Sequence, residues 1–448
     1  MQRFAPEFHL GYKNLFFVKA NYTHTILFFL LGWVLIHLSG CKDKAYDELY
    51  YEANIPVYME LEAFREAIKT TGPRLLANPG KIISKGNFLF INEKFEGIHI
   101  IDNSTPTAPA LVDFISIPGN TDMLIHNNTI IADSYIDMVA IDISNPAIPK
   151  VTNRLKDIFP NRLPPFNQSL PVYGLDFGKG VVVGWETMLI TEVITHSTES
   201  RGQFSSENQN GIPNIGDQVV TLMDNSTQTS FRPHFGMHAN QIYVICNNAL
   251  GVYSVDNHYN LKGKNEVITN EMLYTLYIND NKLFLGSRSG MSIYNINETS
   301  SPVFMNRTNQ INSCSPLTFK ETLIYAGAGT SDICHTTGNR LDIFDITNIQ
   351  NISLVASFSM EGISALETDD ENLFICVGKE GLKVFNRTSP IELEKYLIAE
   401  LKDIAALRAM RFDDILLVVG MDGIYQYDFS TPSDIQLLSR IALSGTTY

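Results

Sequence analysis

Past residue 77 the apolar positions fall in short runs, β-branched and aromatic, with Gly, Asn and Asp between them. Asn87-Phe-Leu-Phe-Ile91, Thr129-Ile-Ile-Ala132, Gln241-Ile-Tyr-Val-Ile245, Lys282-Leu-Phe-Leu285, Asn372-Leu-Phe-Ile375 and Asp414-Ile-Leu-Leu-Val-Val419 are examples. Runs of this length and composition, bounded by turn residues, predict strands rather than helices. Helical spacing is confined to one segment, Val57 to Lys69, where Leu61, Phe64 and Ile68 share a face. That segment predicts one short amphipathic helix docked on the rest.

Each run is followed by a second run of a repeating form. Gly97-Ile-His-Ile-Ile-Asp102-Asn-Ser-Thr-Pro106 returns as Met138-Val-Ala-Ile-Asp142-Ile-Ser-Asn-Pro146, Gly251-Val-Tyr-Ser-Val-Asp256 and Gly290-Met-Ser-Ile-Tyr-Asn295. It returns again as Leu341-Asp-Ile-Phe-Asp345-Ile-Thr-Asn348, Gly381-Leu-Lys-Val-Phe-Asn386-Arg-Thr-Ser-Pro390 and Gly423-Ile-Tyr-Gln-Tyr-Asp428-Phe-Ser-Thr-Pro432. The repeated Asp or Asn ends a third strand. Its short side chain accepts a backbone N–H two residues on, and the following Pro cannot continue a ladder. These side chains are therefore turn formers, not catalytic candidates. Unit two shows the four expected strands: Thr121 to Ile125, Thr129 to Ala132, Met138 to Asp142 and Val151 to Leu155.

Four-stranded units repeated every 39 to 42 residues indicate an all-β fold, a β-propeller. Residues 77–448 form the repeat region, with a polar insertion at 195–230 that is rich in Ser, Thr, Asn and Gln. The remaining length favours eight blades of 42 residues, with seven as the alternative. Unit three is the weak copy, Gly180-Val-Val-Val-Gly-Trp185 followed by Met188-Leu-Ile, with Glu192 near the expected strand end. The phrases Ile-Ile-Asp-Asn-Ser-Thr-Pro and Ala-Ile-Asp-Ile-Ser-Asn-Pro resemble the LVIVD repeat, a propeller family of bacterial surface and secreted proteins. The resemblance implies the fold and names no reaction.

The N-terminus reads as an address. Lys13 and Lys19 precede an apolar run at 25–36, too short to span a bilayer that takes about 20 helical residues. The run ends in Leu38-Ser39-Gly40-Cys41, which resembles the lipobox of bacterial lipoproteins. That resemblance implies a signal peptide at 1–40, lipid attachment at Cys41 and a tether with the short helix at 41–76. Lys42 beside the lipid site suits the outer membrane, on its periplasmic or surface face. The order of features resembles LVIVD lipoproteins of Bacteroidetes.

Composition narrows the functions. The chain has 448 residues, 44% of them hydrophobic and 18% charged, which supports a buried core. Its net charge is −15, and the part after residue 40 holds 30 basic against 47 acidic residues. An acidic surface repels phosphate, so nucleic acid is not an expected partner. Five cysteines are too few for a disulfide scaffold. Cys246 and Cys376 lie in apolar strands and read as buried thiols. Cys314 and Cys334 flank one strand pair and can bridge in an exported protein. LVIVD lipoproteins of this type often carry a matching pair; free thiols are the alternative.

Metal and cofactor patterns are missing. There is no paired Cys-x-x-Cys, no His-x-x-x-His helix and no phosphate loop. His234 and His238 share a strand face but stand ~13 Å apart by strand rise, too far to share an ion. No metal ligand, cofactor or catalytic residue is therefore assigned. Asp122, Asp176, Glu367 and Arg408 fall on first strands, near the channel where propeller glycosidases place paired carboxylates. The expected protein is a monomeric, lipid-anchored, non-enzymatic scaffold that binds a protein or glycan. A carbohydrate-active hydrolase or lyase working at the channel is the alternative.

Overall fold

A computed structural model describes residues 46–195, 219–220, 233–256, 260–297, 301–311, 316–328 and 339–444. The apolar run at 25–36, Cys41, Cys314, Cys334 and nearly all of the insertion lie outside the described residues. The chain divides into two compact units, and the larger, Glu52–Met188 with Ile215–Tyr448, holds the repeats.

Seven sheets of that unit have four consecutive strands in antiparallel order, the first sheet with a fifth strand at its outer edge. We number them as blades 1 to 7. Blade 1 comprises Pro79–Lys85, Phe88–Glu93, Gly97–Asp102 and Ala110–Ser116, with Lys69–Thr70 added outside. Blade 2 comprises Met123–His126, Thr129–Ser134, Asp137–Asp142 and Lys150–Leu155. Blades 3 to 7 begin at His234, Leu273, Leu317, Ala365 and Arg408. The fold is a β-propeller.

Period-two alternation gives every blade two apolar faces. Leu89, Ile91 and Ile101 pack toward blade 7, whereas Phe90, Ile98 and Ile100 pack toward blade 2. The same division recurs around the ring, so each neighbouring pair shares one buried cluster: 2 with 3, 3 with 4, 4 with 5, 5 with 6, and 6 with 7. Blade 7 closes on blade 1 through Leu417 and Ile424 against Leu89 and Ile101, and through a reciprocal amide pair between Asn103 and Gln426. Glu93 tightens the closure. Its buried carboxylate accepts from His99 Nε2 at 3.0 Å and from the backbone N–H groups of Ala77 and Asn78. Burial pushes its pKa up, but those hydrogen bonds outweigh burial and hold it below the usual range.

Among the described residues seven blades close the ring, where length favours eight. The intact repeats are the blades, and blade 2 packs directly on blade 3 through Leu124, Phe235 and Val244. The degenerate third unit builds no blade. Where the sequence suggests two strands and a turn, one strand runs through, Val181–Thr195, because Trp185, Glu186 and Thr187 supply no turn chemistry. It belongs to a mixed sheet ordered Val181–Thr195, Tyr46–Met59, Val172–Tyr173, Val219–Val220. The leader is thus a strand where a polar tether is expected. Its Asn54 pairs in parallel with Val172 and donates to the carbonyls of Asn167 and Leu170 at 2.9 and 3.0 Å. In the smaller unit, the Tyr51 hydroxyl donates to Glu192 at 2.8 Å.

The helix spans Leu61–Glu66. Phe64 is fully buried against Tyr135 of blade 2, while Leu61 remains 39% exposed. Arg65 donates to Asp137 at 3.1 Å and to Asp157 at 2.8 Å, and Arg154 returns a hydrogen bond to the Arg65 carbonyl.

Two local devices repeat. The turn carboxylates and amides act as expected: the N–H groups of Ser104, Ser144, Asn297, Thr347, Thr388 and Ser430 donate to Asp102, Asp142, Asn295, Asp345, Asn386 and Asp428 at 2.7 to 2.9 Å. Asp256 instead accepts from the Asn260 N–H at 2.9 Å. The second device has no sequence signature. In all seven blades the outer strand carries a one-residue register shift against the third strand, as at Val112 between Ile100 and Ile101. Such a bulge bends the outer strand and increases its twist.

Candidate functional site

The first strands of the blades line the central channel, where a cavity of about 770 Å³ opens. Blade 6 contributes Ser364 through Asp369, blade 7 Arg408 through Phe412, blade 4 Thr275 and Tyr277, and blade 1 Lys81. Of the four charged positions expected there, Glu367 and Arg408 line the cavity. Asp122 stands behind Lys81, whose ammonium it holds at 3.1 Å, and it also accepts from the Phe235 N–H at 2.9 Å. Asp176 is not a channel residue. It caps the short 3₁₀ turn Phe177–Lys179, accepting from the Gly178 N–H at 2.9 Å, because the third unit leaves the ring.

The two carboxylates of the cavity differ. Asp369 is engaged by Arg411 Nη1 at 2.8 Å, by the Asn372 amide, and by the backbone N–H groups of Glu371 and Asn372. Burial raises its pKa, but those donors outweigh it and hold the group below the ordinary range. Glu367 goes the other way. Its side chain is open to the cavity, yet the crowding of the channel walls strips solvent from the carboxyl and raises it above the usual range, against a backbone hydrogen bond from Thr368 and the nearby charge of Arg408. Tyr277, on the same wall, is pushed up to about 12 by burial, so its phenol stays protonated. Ser364 Oγ and Thr368 Oγ1 donate to the carbonyls of Ala406 and Phe319, at 3.0 and 3.1 Å; the Ser364 oxygen remains an acceptor, and that of Thr368 already accepts from the Thr318 hydroxyl at 3.1 Å with one lone pair left.

Two other clusters compete for attention. Buried Asp133 accepts from Thr121, Asp122 and Asn120 and pairs with Arg162 at 2.6 Å, and Arg162 also donates to the carbonyls of Tyr135 and Gly119. Every polar group in that set is spent on pinning chain segments. Glu271 is bound by the hydroxyls of Ser287 and Ser289 and by Arg307, beside a cavity of about 250 Å³. Those bonds hold its carboxyl at about 2.

His234 and His238 lie on the first strand of blade 3, and among the described residues no group of His, Cys, Asp and Glu is placed to hold a metal ion. Cys376 is buried and Cys246 half-buried, and burial pushes their thiols up to about 12 and 11. Such thiols are inert at neutral pH.

Long connections leave both ends of the ring: the link from Leu382–Asn386 to Leu397–Leu401 of blade 6 carries the 3₁₀ segment Pro390–Tyr396 at one of them. In antiparallel blades the links from outer strand to next first strand, and from second to third strand, emerge at the same end. There stand the 156–233 connection and the segments that lead to Cys314 and Cys334, from Leu317–Lys320 and Leu323–Ala328 of blade 5. At the opposite end the first hairpins turn in two residues, with positive φ at Asn127, Asp280 and Asp413.

No curated protein sequence matches the chain. Among solved structures it is similar to the computationally designed Ika8 protein, at 12% identity and TM-score 0.45, over 82% of this chain and 90% of that one. It is also similar to Hsv2 of Kluyvelomyces marxianus, at 12% identity and TM-score 0.43, over 80% of this chain and 95% of that one. Residues 80–115 and 126–157, in blades 1 and 2, match the LVIVD repeat family, so the chain is a β-propeller that carries LVIVD repeats.

Proposed function

We propose that the chain is a lipid-anchored, non-enzymatic binding scaffold of the bacterial envelope, held at the outer membrane through Cys41 and recognising a protein or glycan. The observation that carries the reading is the state of the channel. A glycosidase needs two carboxyl groups free to face its substrate. Here Asp369 is consumed by Arg411 and Asn372, which leaves Glu367 without a working partner acid. A rigid ring that presents loops at both ends suits recognition, since loops carry binding and the scaffold positions them. The apolar run at 25–36 and Leu38-Ser39-Gly40-Cys41 support the anchor. We also read Cys314 and Cys334 as a disulfide, because their strands leave blade 5 at the same end.

The test is crosslinking and affinity capture from intact cells, with Cys41→Ala as the control. The reading expects the native chain in the membrane fraction with a defined partner, and the variant released from that fraction. Native chain that stays in the soluble fraction contradicts the anchor. Turnover of a polysaccharide by the purified chain contradicts the non-enzymatic role.

A further inference from the structure

The channel cavity has the volume of a small-molecule site, which runs from about 300 to 1,000 Å³. Among the described residues its three cations and three carboxylates are not all in contact pairs. Lys81 is paired with Asp122 at 3.1 Å and Arg411 with Asp369 at 2.8 Å. Arg411 is further fixed by the Asp413 carbonyl and lies over the Phe429 ring. Arg408 faces the same cavity from the start of blade 7's first strand, and it forms no hydrogen bond or contact ion pair with a described residue. A guanidinium cannot shed its charge, and its planar fork matches a carboxylate. The neighbouring walls offer acceptors rather than donors: Glu367, Ser364 Oγ and Thr368 Oγ1. The rings of Tyr277 and Phe412 supply flat apolar faces.

From this geometry we infer that the channel binds a small hydroxyl-bearing carboxylate, an acidic sugar in chemical class, with Arg408 taking the carboxylate. The ligand's hydroxyl groups donate to Ser364, Thr368 and Glu367, and its ring lies against the aromatic walls. Glu367 selects the charge. A second ionised group on the ligand meets Glu367 and Asp369, which disfavours a phosphate dianion. The acid form of Glu367 adds a donor beside Arg408 and removes the repulsion, so affinity rises as pH falls. The other charged or titratable groups facing Glu367 are Arg408, Asp369, Arg411, Lys81 and Tyr277. This inference deepens the binding role above, and it is separable from the anchor, because Cys41→Ala leaves the channel untouched.

The experiment is titration calorimetry on the full chain in detergent, with D-glucuronate, D-glucose and inorganic phosphate as probes. Saturable glucuronate binding is expected, with glucose and phosphate weaker by about tenfold or more, the scale of one charge-assisted pair. Arg408→Gln lowers glucuronate affinity by about tenfold or more, and Arg408→Lys restores part of it. Circular dichroism and a thermal melt confirm that each variant is folded. The native chain supplies a readout independent of that variant: glucuronate affinity rises as pH falls, and Glu367→Gln flattens the rise. Equal binding of glucose, preference for phosphate, no saturable binding of any probe, an unchanged Arg408→Gln, or a flat native pH profile each overturns the inference.

Discussion

Carboxylates serve two purposes in this ring, and the two sets are chemically opposite. Those that end the third strands are half-buried, repeated from blade to blade and bonded to the chain two residues on. Side-chain and backbone donors from that residue hold Asp102, Asp142, Asp345 and Asp428 below the usual carboxylate range. Glu367 lies in the channel with its side chain open to the cavity, and desolvation by the surrounding walls raises its carboxyl. Repetition marks what every blade needs to fold. A departure from the repeat, in a cavity, marks what one place needs to recognise.

The largest expected effect sharpens that rule, because departure alone is not enough. Asp133 is also unrepeated, but its partners are complete. Arg162→Met removes the cation and leaves a buried charge, at a cost of about 3–5 kcal/mol in stability. Chemical denaturation measures it, and sugar binding by the fraction that remains folded should be intact. A loss near zero would mean that Asp133 belongs with the recognition groups.

A turn carboxylate comes next. Asp142→Ala gives up the bonds to Ser144 and is expected to cost about 1 kcal/mol, comparable to loss of a helix cap. Asp142→Asn should match the native chain, since Asn295 and Asn386 make the same turn. If Asn is as costly as Ala, the negative charge matters and the turn account fails.

The smallest effect concerns pH, and the two sets have opposite signs. A folded-state pKa below the unfolded value gives stability that is present at neutral pH and fades as pH falls through the folded value. The contribution of the turn Asp residues therefore begins to fade below about pH 4 and is gone below their folded values. Glu367 has a raised pKa, so its contribution is full in acid and is lost as pH rises through the folded value. Melting temperature against pH for Glu367→Gln should gain on the native chain from acid toward neutral pH. A constant offset would contradict the sign.

Much of the fold was legible, for a physical reason. Gly97, Asp102 and Pro106, with their copies, each satisfy a local backbone demand, and local demands leave local residue types. Gly381 is such a case: at φ +96, an added Cβ would sit 1.8 Å from the Leu401 carbonyl oxygen. The outer-strand bulge left no mark, because Val112, Thr152, Met305, Val355, Ile398 and Leu438 share no chemistry that the shift requires. The count of blades went astray at Val181–Thr195, where an apolar run without a turn residue read as two strands. Leader strand Tyr46–Met59 was hidden in the same way, since its partners come from residues far along the chain.

At the channel, Glu367 and Arg408 could be named from strand position alone. Their distinction from Asp122 and Asp369 could not, because it depends on Lys81 and Arg411 arriving from other blades. Asp176 was misplaced for the reason that unit three was: it follows a two-residue strand outside the ring.

The most direct test takes two variants through the same two measurements, melting temperature and glucuronate affinity. For Asp142→Ala the account predicts a lower melting temperature and native affinity. For Arg408→Gln it predicts a native melting temperature and an affinity reduced by about tenfold or more. The contradicting result is the exchange of those outcomes, or both variants losing both properties together.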